Sequence, residues 1–496
     1  MACFYSAPLA WYLTGVDTFA QDTFSTSPYI NYENYGDGAP RDGSAPWSTP
    51  LKSALNTWGI SGTLAVELTD NIKATSITAY RYFDGNYSSG DGSPFNPSLQ
   101  ANRVYNRQFS QELRVSAKLA EKANLTVGGY YFHKRSRYAA RITLTTLAFL
   151  EDDSIPATTK AVFANADVTP VTNLTILGGI RYTDDSKTFI FGRFGVPGSS
   201  SGGVVPASLA PLNGLVSSFH GTRVDYRAGL QYRFSPEAMV YGQFSTGFRG
   251  GGINPRPFFP AQALPHNPET LKAYEIGLKT DLFDRTLRFN ASAFINKYKD
   301  ILVTVSSCPL PGVPSAPCSL PLNAGNATIK GAEAELAWKP LPGLSIDGSL
   351  AYLHFKYDTI SAAAATSGIG PEDKGLYISP WQWSLSAQYE LALGTHGTLT
   401  PRIDVSHIDS FNRNANNVDA ATGGTDVFGL VRGYTLVNAR LSYATPDRSW
   451  ELSIEGRNLT DKLYYTDVFD NRGSTNSIQG TPAEPRTFAV TIKRRF

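Results

Sequence analysis

His407, Asp409 and Ser410 place the three side chains of a hydrolytic triad within four residues. The segment GSSSG at residues 198–202 has the spacing of a nucleophile elbow. An elbow requires a strained strand-to-helix turn that presents its serine, whereas GSSSG lies within a Gly/Ser-rich loop. Val405 and His407 continue an alternating strand into a loop, and nothing nearby suggests an oxyanion site. His133, His220, His266, His354, His396 and His407 are scattered without metal-ligand spacing. No catalytic residue, metal ligand or cofactor is therefore expected, and the chain does not read as an enzyme.

A milder chemistry suits GFRGGGINP. Consecutive backbone amides bind anions well, but such cradles normally open a helix, and this run leaves a strand and meets prolines. The plain reading is a strand end where glycines permit close approach; the functional one is that Arg249, Asn254 and Arg256 contact an anionic ligand at the start of a loop. Near the N-terminus Tyr29, Tyr32, Tyr35 and Trp47 can stack on the rings of a sugar or chelate, or on one another. Cys308 and Cys318 flank the Pro-rich PLPGVPSAP. They are either a disulfide pair, which requires an oxidising compartment, or two unrelated thiols, while Cys3 is isolated.

The elements that position these residues follow from composition. In 496 residues the chain has 12% aromatic residues, 44 Gly and 31 Pro beside only 17% charged residues, a balance that favours strands and turns. Against 42 acidic residues stand 44 basic ones, too even a count for a nucleic-acid surface, so nucleic acid is not an expected partner. No apolar run reaches the roughly eighteen residues of a spanning helix; ITLTTLAFL at residues 142–150 is much too short. The N-terminal apolar patch lacks the basic residues that precede one in a secretory signal.

From Trp58 onward, runs of about ten to thirteen residues alternate apolar with polar. In WQWSLSAQYEL, Trp381, Trp383, Leu385, Ala387, Tyr389 and Leu391 share one face, and Gln382, Ser384, Ser386, Gln388 and Glu390 the other. Trp450, Leu452 and Ile454 oppose Glu451, Ser453, Glu455 and Arg457; Tyr274, Ile276, Leu278 and Leu282 oppose Glu275, Lys279 and Asp281. Soluble strands run about five or six residues, while a tilted strand crossing a bilayer needs about nine to eleven. The expectation is an all-β transmembrane antiparallel barrel, with full charges on a wide wet or plugged lumen.

Short links such as LTDN, AEKAN, TPVTN, SPEA, LFDRT, KPLPG and ATPDRS alternate with long Gly/Ser/Pro/Asn-rich ones at residues 191–221, 254–269, 306–326, 357–379 and 409–432. Outer-membrane barrels have short periplasmic turns and long extracellular loops, which sets the polarity and gives about seventeen strands. The terminal RTFAVTIKRRF puts Phe488, Val490, Ile492 and Phe496 toward lipid, and Ala489, Thr491, Lys493 and Arg495 toward the lumen. Phe496 is then the sorting signal read by barrel-assembly machinery, and Arg494, facing outward, must snorkel at the periplasmic interface.

YGQFSTGFRGGGINP, NPETLKAYEIGLKTDLFDRTLRFNASAFINKYKDI, NAGNATIKGAEAELAWKPLPGLSIDGSLAYLH and LVNARLSYATPDRSWELSIEGRNLTDKLYYTD, with the closing GTPAEPRTFAVTIKRRF, resemble the C-terminal barrel of TonB-dependent outer-membrane receptors. The resemblance covers most of residues 57–496. It implies a twenty-two-strand barrel in outer-membrane lipid, energised through the TonB complex, that imports a scarce nutrient such as a siderophore-iron complex, cobalamin or an oligosaccharide. No coupling box or plug is recognisable, so the expectation is about seventeen of those strands, with residues 1–56 an extracellular-loop-like segment and Met1 an internal methionine of a gene fragment or mis-set start. A passive porin-like channel and a surface glycan-binding β-protein are the rival readings.

Overall fold

The computed structural model describes residues 53–90, 98–144, 147–197, 203–310, 313–418, 423–470 and 478–495, with Tyr29 and the two-residue strands Ala2–Cys3, Gly36–Asp37 and Trp47–Ser48. Nineteen strands join one antiparallel sheet, two of them the short pieces Arg193–Phe194 and Leu391–Ala392, which leaves seventeen wall strands. In chain order these are β1 (Ala54–Thr69), β2 (Ile72–Gly90), β3 (Ser98–Ala120), β4 (Ala123–Leu144), β5 (Leu147–Val171), β6 (Leu174–Ile190), β7 (Val216–Ser235), β8 (Ala238–Arg249) and β9 (Glu269–Leu282). They continue as β10 (Leu287–Lys299), β11 (Gly325–Trp338), β12 (Leu344–Ile360), β13 (Trp381–Tyr389), β14 (Thr398–Ile408), β15 (Tyr434–Ala444), β16 (Trp450–Arg457) and β17 (Thr487–Arg494).

Each wall strand pairs with the next in sequence, so local hairpins build the entire wall. The strand order sets β17 beside β1, but no residue register joins them. Every residue of β1 is exposed, as is β17 beyond Thr487. Elsewhere the pleat alternates as the sequence demands: Trp381, Leu385 and Tyr389 are exposed, as are Trp450, Leu452, Ile454, Tyr274 and Ile276. Phe488, Val490 and Ile492 are about 70% exposed, a cost that water imposes and hydrocarbon removes. The outward Arg494 guanidinium lies 5.1 Å over the Trp450 ring.

This outward apolar band has a definite top. Trp58, Tyr80, Tyr82 and Tyr105 form one arc of aromatic contacts, Phe109 meets Tyr131, Phe244 meets both Tyr226 and Tyr274, and Tyr352 meets Trp381. Apart from Tyr105, which stands higher, these rings stand about seven to twelve residues from the short turns, close to the nine to eleven that a tilted strand needs to cross hydrocarbon. The lumen face is ionic: Arg402 binds Asp404 at 2.6 Å, Arg440 binds Glu451 at 3.3 Å and Arg457 binds Glu455 around a recess of 680 Å³.

Several strands run well beyond the predicted ten to thirteen residues. β5 has 25 and β3 has 23. Above the membrane no lipid demands an apolar outward face, so pairing continues where alternation has ceased. The long link expected at residues 191–221 accordingly ends at Val216, where β7 begins opposite Ile190. The link at 306–326 is largely a hairpin, Leu302–Leu310 against Val313–Asn323. Cys308 faces Ala316 across it, and the side chains of Cys308 and Cys318, with the bridge expected of them, lie outside the described residues. Phe496 also lies outside them, as does GSSSG at 198–202.

Candidate functional site

The dry cores of the molecule lie at the outer mouth, where long loops fold over the wall. On one side Phe149, Phe189, Phe191, Leu209, Leu212 and Ala263 pack together, with Ile253 and Phe258 against them. Beside this cluster Arg193 reaches two carboxylates of β5, Glu151 at 2.7 Å and Asp153 at 2.6 Å. All three are almost fully buried, at 1%, 4% and 0% exposure respectively. Phe149 and Phe191 cover the guanidinium at 5.9 and 5.4 Å. One buried cation cannot neutralise two buried anions, and burial with the nearby Asp153 holds the Glu151 carboxyl well above its ordinary range. The neutral form of Glu151 is thereby favoured beside Arg193 and Asp153. Asp153 also accepts from the Gly192 amide at 3.0 Å, so the device clamps the chain after β6 onto β5.

GFRGGGINP enters the same structure from β8. Arg249 ends that strand opposite Glu269, exposed. The Lys187 ammonium donates to the Gly251 carbonyl at 3.0 Å, and a Cβ on Gly251 would strike the Phe219 ring and the His266 carbonyl, which is why glycine is needed there. His266 is held below its usual value by burial, and further by Arg249 and Lys187. Asn254 is buried, and its Oδ1 accepts from the Arg256 amide at 3.0 Å, so Asn254 shapes the turn that presents the exposed Arg256. Arg256 in turn acts electrostatically on Glu151 and Tyr138. Arg249, Asn254 and Arg256 thus occupy one side of the mouth. Tyr29 is exposed, Tyr32 lies outside the described residues, and Trp47 has its backbone paired with Asp37 and its side chain undescribed.

The adjoining stretch of the mouth, joined to the first where the Asn267 amide donates to Asn323 at 2.9 Å, is built differently. A second apolar cluster of Val303, Val305, Leu322, Ala324, Tyr357 and Ile369 seats the 302–323 hairpin. The buried Asp373 organises the adjoining loops, accepting from Gly370, Asn417 and Val418 amides at 2.7, 2.5 and 2.9 Å. On this frame Arg413 stands half-buried between the rings of Tyr377 (4.9 Å) and Phe469 (5.7 Å), its Nε donating to Asp467 at 2.8 Å. Tyr434 and Tyr464 pair at 4.3 Å. Sequence reasoning missed Arg413, Tyr377 and Phe469. They come from three separate outer loops, after β12, β14 and β16, with no spacing signal, and only the folding of those loops onto one another brings them together.

His407 stacks on Trp383 at 5.6 Å on the outward face, with Nε2 on Asp409 and Nδ1 on Thr435. The Ser410 hydroxyl accepts from the Gly433 amide instead. These residues dress the strand end rather than forming a nucleophile–base pair.

A family model described as TonB dependent receptor-like, beta-barrel matches residues 9–459, so the chain belongs to that family. Barrels of this family are outer-membrane proteins, and the apolar band and its aromatic rim match that location. Among curated relatives it is 25% identical over 287 residues to the ferric-pyoverdine M114 receptor PbuA of Pseudomonas sp. (strain M114), covering 56% of this chain and 31% of that protein. It is 24% identical over 379 residues to the pesticin receptor of Yersinia enterocolitica, covering 68% of this chain and 52% of that one. The chain thus spans between about a third and a half of these relatives' length. Among solved structures, the ferric yersiniabactin uptake receptor FyuA from Yersinia pestis shares the fold with a TM-score of 0.69 at 18% identity, over 94% of this chain and 65% of that one.

Proposed function

We propose that this chain forms the wall and outer mouth of a receptor for TonB-dependent uptake of a metal chelate, foremost iron held by a siderophore. The observation that carries the reading is Arg413 between Tyr377 and Phe469 at the mouth, above a charged lumen. Anionic, ring-bearing chelates suit a guanidinium flanked by aromatic faces, which offers charge and stacking together. Arg249 and Arg256 add cations elsewhere on the mouth, with Tyr29, Tyr32 and Trp47 as further ring contacts. The names of the relatives, receptors for ferric pyoverdine and ferric yersiniabactin, support an iron chelate as cargo ahead of cobalamin or an oligosaccharide. In this reading Phe496 is recognised by barrel-assembly machinery, and residues 1–56 form an outer-loop segment.

Binding decides it. The refolded 496-residue chain is titrated with ferric siderophores of catecholate, hydroxamate and phenolate type, with cobalamin and with maltodextrins, following intrinsic fluorescence. Tight, saturable quenching by one ferric chelate and not by its iron-free form is expected. Liposome swelling by small solutes with no saturable ligand would instead favour a passive channel, and binding only of maltodextrin a glycan-binding protein.

A further inference from the structure

Within the outer aromatic rim, level with Tyr82, the lipid-facing side of β3 and β4 becomes basic. The register sets Phe109 opposite His133, Arg107 opposite Arg135 and Tyr105 opposite Arg137. Odd-numbered residues of both strands face outward, as the exposed Leu113, Val115, Val127 and Tyr131 show lower on the same face. Arg107 and Arg135 are therefore like charges in direct cross-strand opposition, an arrangement that works against strand pairing. Their neighbours are compensated. Arg103 grips Asp84 at 3.0 and 2.8 Å, and Arg137 grips Asp152 at 2.6 and 2.5 Å. Lys160, level with Tyr131, faces Asp184 across β5 and β6, and Asp184 also meets His220 at 3.1 Å. Arg107 lies 5.0 Å over the Tyr105 ring, yet among the described residues neither Arg107 nor Arg135 has an ion-pair partner.

We propose that Arg107 and Arg135 form a site for the phosphate of a lipid headgroup in the outer leaflet. Phe109, one outward step below Arg107, and Tyr131, two below Arg135, lie 6.4 Å apart and mark where acyl chains give way to headgroups. A phosphate at that height lies between two guanidinium forks, which turns a repulsive pair into two charge-assisted contacts. A lipid fits better than a free anion. Its chains lie along the apolar band of Leu113, Val115 and Val127 and hold the headgroup at the site, raising its effective concentration. Because both side chains point away from the lumen, transported cargo does not reach them, and this site is independent of the uptake reading.

The test uses the full chain in phosphatidylcholine nanodiscs doped with bisphosphorylated lipid A or its dephosphorylated form, counting lipid retained after mild detergent extraction by native mass spectrometry. Wild type should retain the phosphorylated lipid preferentially. The double variant R107Q/R135Q should retain about tenfold less, as loss of charge-assisted contacts dictates. Lys134→Gln, on the lumen side of the same strand, should behave as wild type. Melting gives a second reading. Without lipid A, R107Q should melt no lower than wild type, because repulsion is relieved; with lipid A, only wild type should gain. Equal retention by wild type and double variant overturns the proposal, as does equal retention of the two lipids by wild type or displacement by millimolar inorganic phosphate. Should the double variant fail to fold, the wild-type comparison of the two lipids decides alone.

Discussion

The two sides of the mouth carry arginines in opposite circumstances. Arg193 is sealed between Phe149 and Phe191 and locked onto Glu151 and Asp153, whereas Arg413 keeps about a quarter of its side chain exposed between Tyr377 and Phe469. A sealed guanidinium has no surface to offer a ligand, and its removal would strand two carboxylates in a dry place. A partly exposed one flanked by rings has already shed part of its water and can accept an anion at little further cost. One side of the mouth is thus a fastening and the other a contact surface. Mutations should therefore separate them cleanly, stability responding on the first side and affinity on the second.

The largest effect belongs to Arg193→Ala. Breaking a buried ion pair by removing one partner typically costs about 3–5 kcal/mol, and here the loss is local to the chain after β6. Amide hydrogen exchange across residues 209–215 should accelerate by two orders of magnitude or more, while the lumen-facing strands at β14 to β16 stay protected. Unchanged exchange at Leu209 and Leu212, both buried in this cluster, would mean that apolar packing alone holds the loop and that the buried charges are incidental.

An intermediate effect is set by pH. The Glu151 carboxyl is raised above its ordinary 4.5 by burial. A raised folded value means that the clasp is strongest below the ordinary value and weakens as pH climbs toward the folded one, by up to about 1.4 kcal/mol per pH unit. Exchange in the same segment, corrected for its intrinsic pH dependence, should therefore rise between pH 5 and pH 9. Glu151→Gln keeps a neutral hydrogen-bonding group and should flatten that rise. A clasp that tightens with pH would show that Glu151 is ionised and that both carboxylates share Arg193. His266 contributes with the opposite sign, its lowered value weakening the neighbouring loop as pH falls below 6.5, so the Gln variant is the comparison that isolates Glu151.

How much of this was legible in the sequence follows from where water and lipid impose a pattern. Inside the bilayer each outward residue must be apolar, so Trp381, Leu385 and Tyr389, or Phe488, Val490 and Ile492, announce their strands and faces by alternation. Above the bilayer that demand lapses. The upper half of β5, with Glu151 and Asp153 inward and Asp152 outward, reads as a polar loop although it is paired throughout. The turn at Leu393–Gly397, absent from the predicted short links, rests on Gly397 at φ 95. The GFRGGGINP segment was recognisable as a strand exit needing glycine, and Gly251 meets that description. Arg193 and Arg413 were not, because their partners lie 40 and 54 residues away: long-range strand pairing sets Arg193 opposite Glu151, and folded outer loops bring Arg413 to Asp467.

The smallest effect is expected on the exposed side and bears directly on cargo. Arg413→Ala removes one partly exposed cation and its two ring contacts, worth about 1–2 kcal/mol to a bound anion, or roughly a tenfold loss in affinity for whichever ferric chelate the wild type quenches with. Exposed ion pairs contribute little to folding, so losing the Asp467 contact should leave the melting temperature within a degree or two. Arg413→Lys keeps the charge but not the flat fork that stacks between rings, and should recover only part of the affinity. Tyr377→Leu, which removes one aromatic wall and leaves the charge, completes the set by separating stacking from electrostatics. If Arg413→Ala instead lowers the melting temperature as far as Arg193→Ala does, the division between fastening and contact fails. The ligand surface would then have to be sought at Arg249 and Arg256, which are exposed where β8 leads into its outer loop.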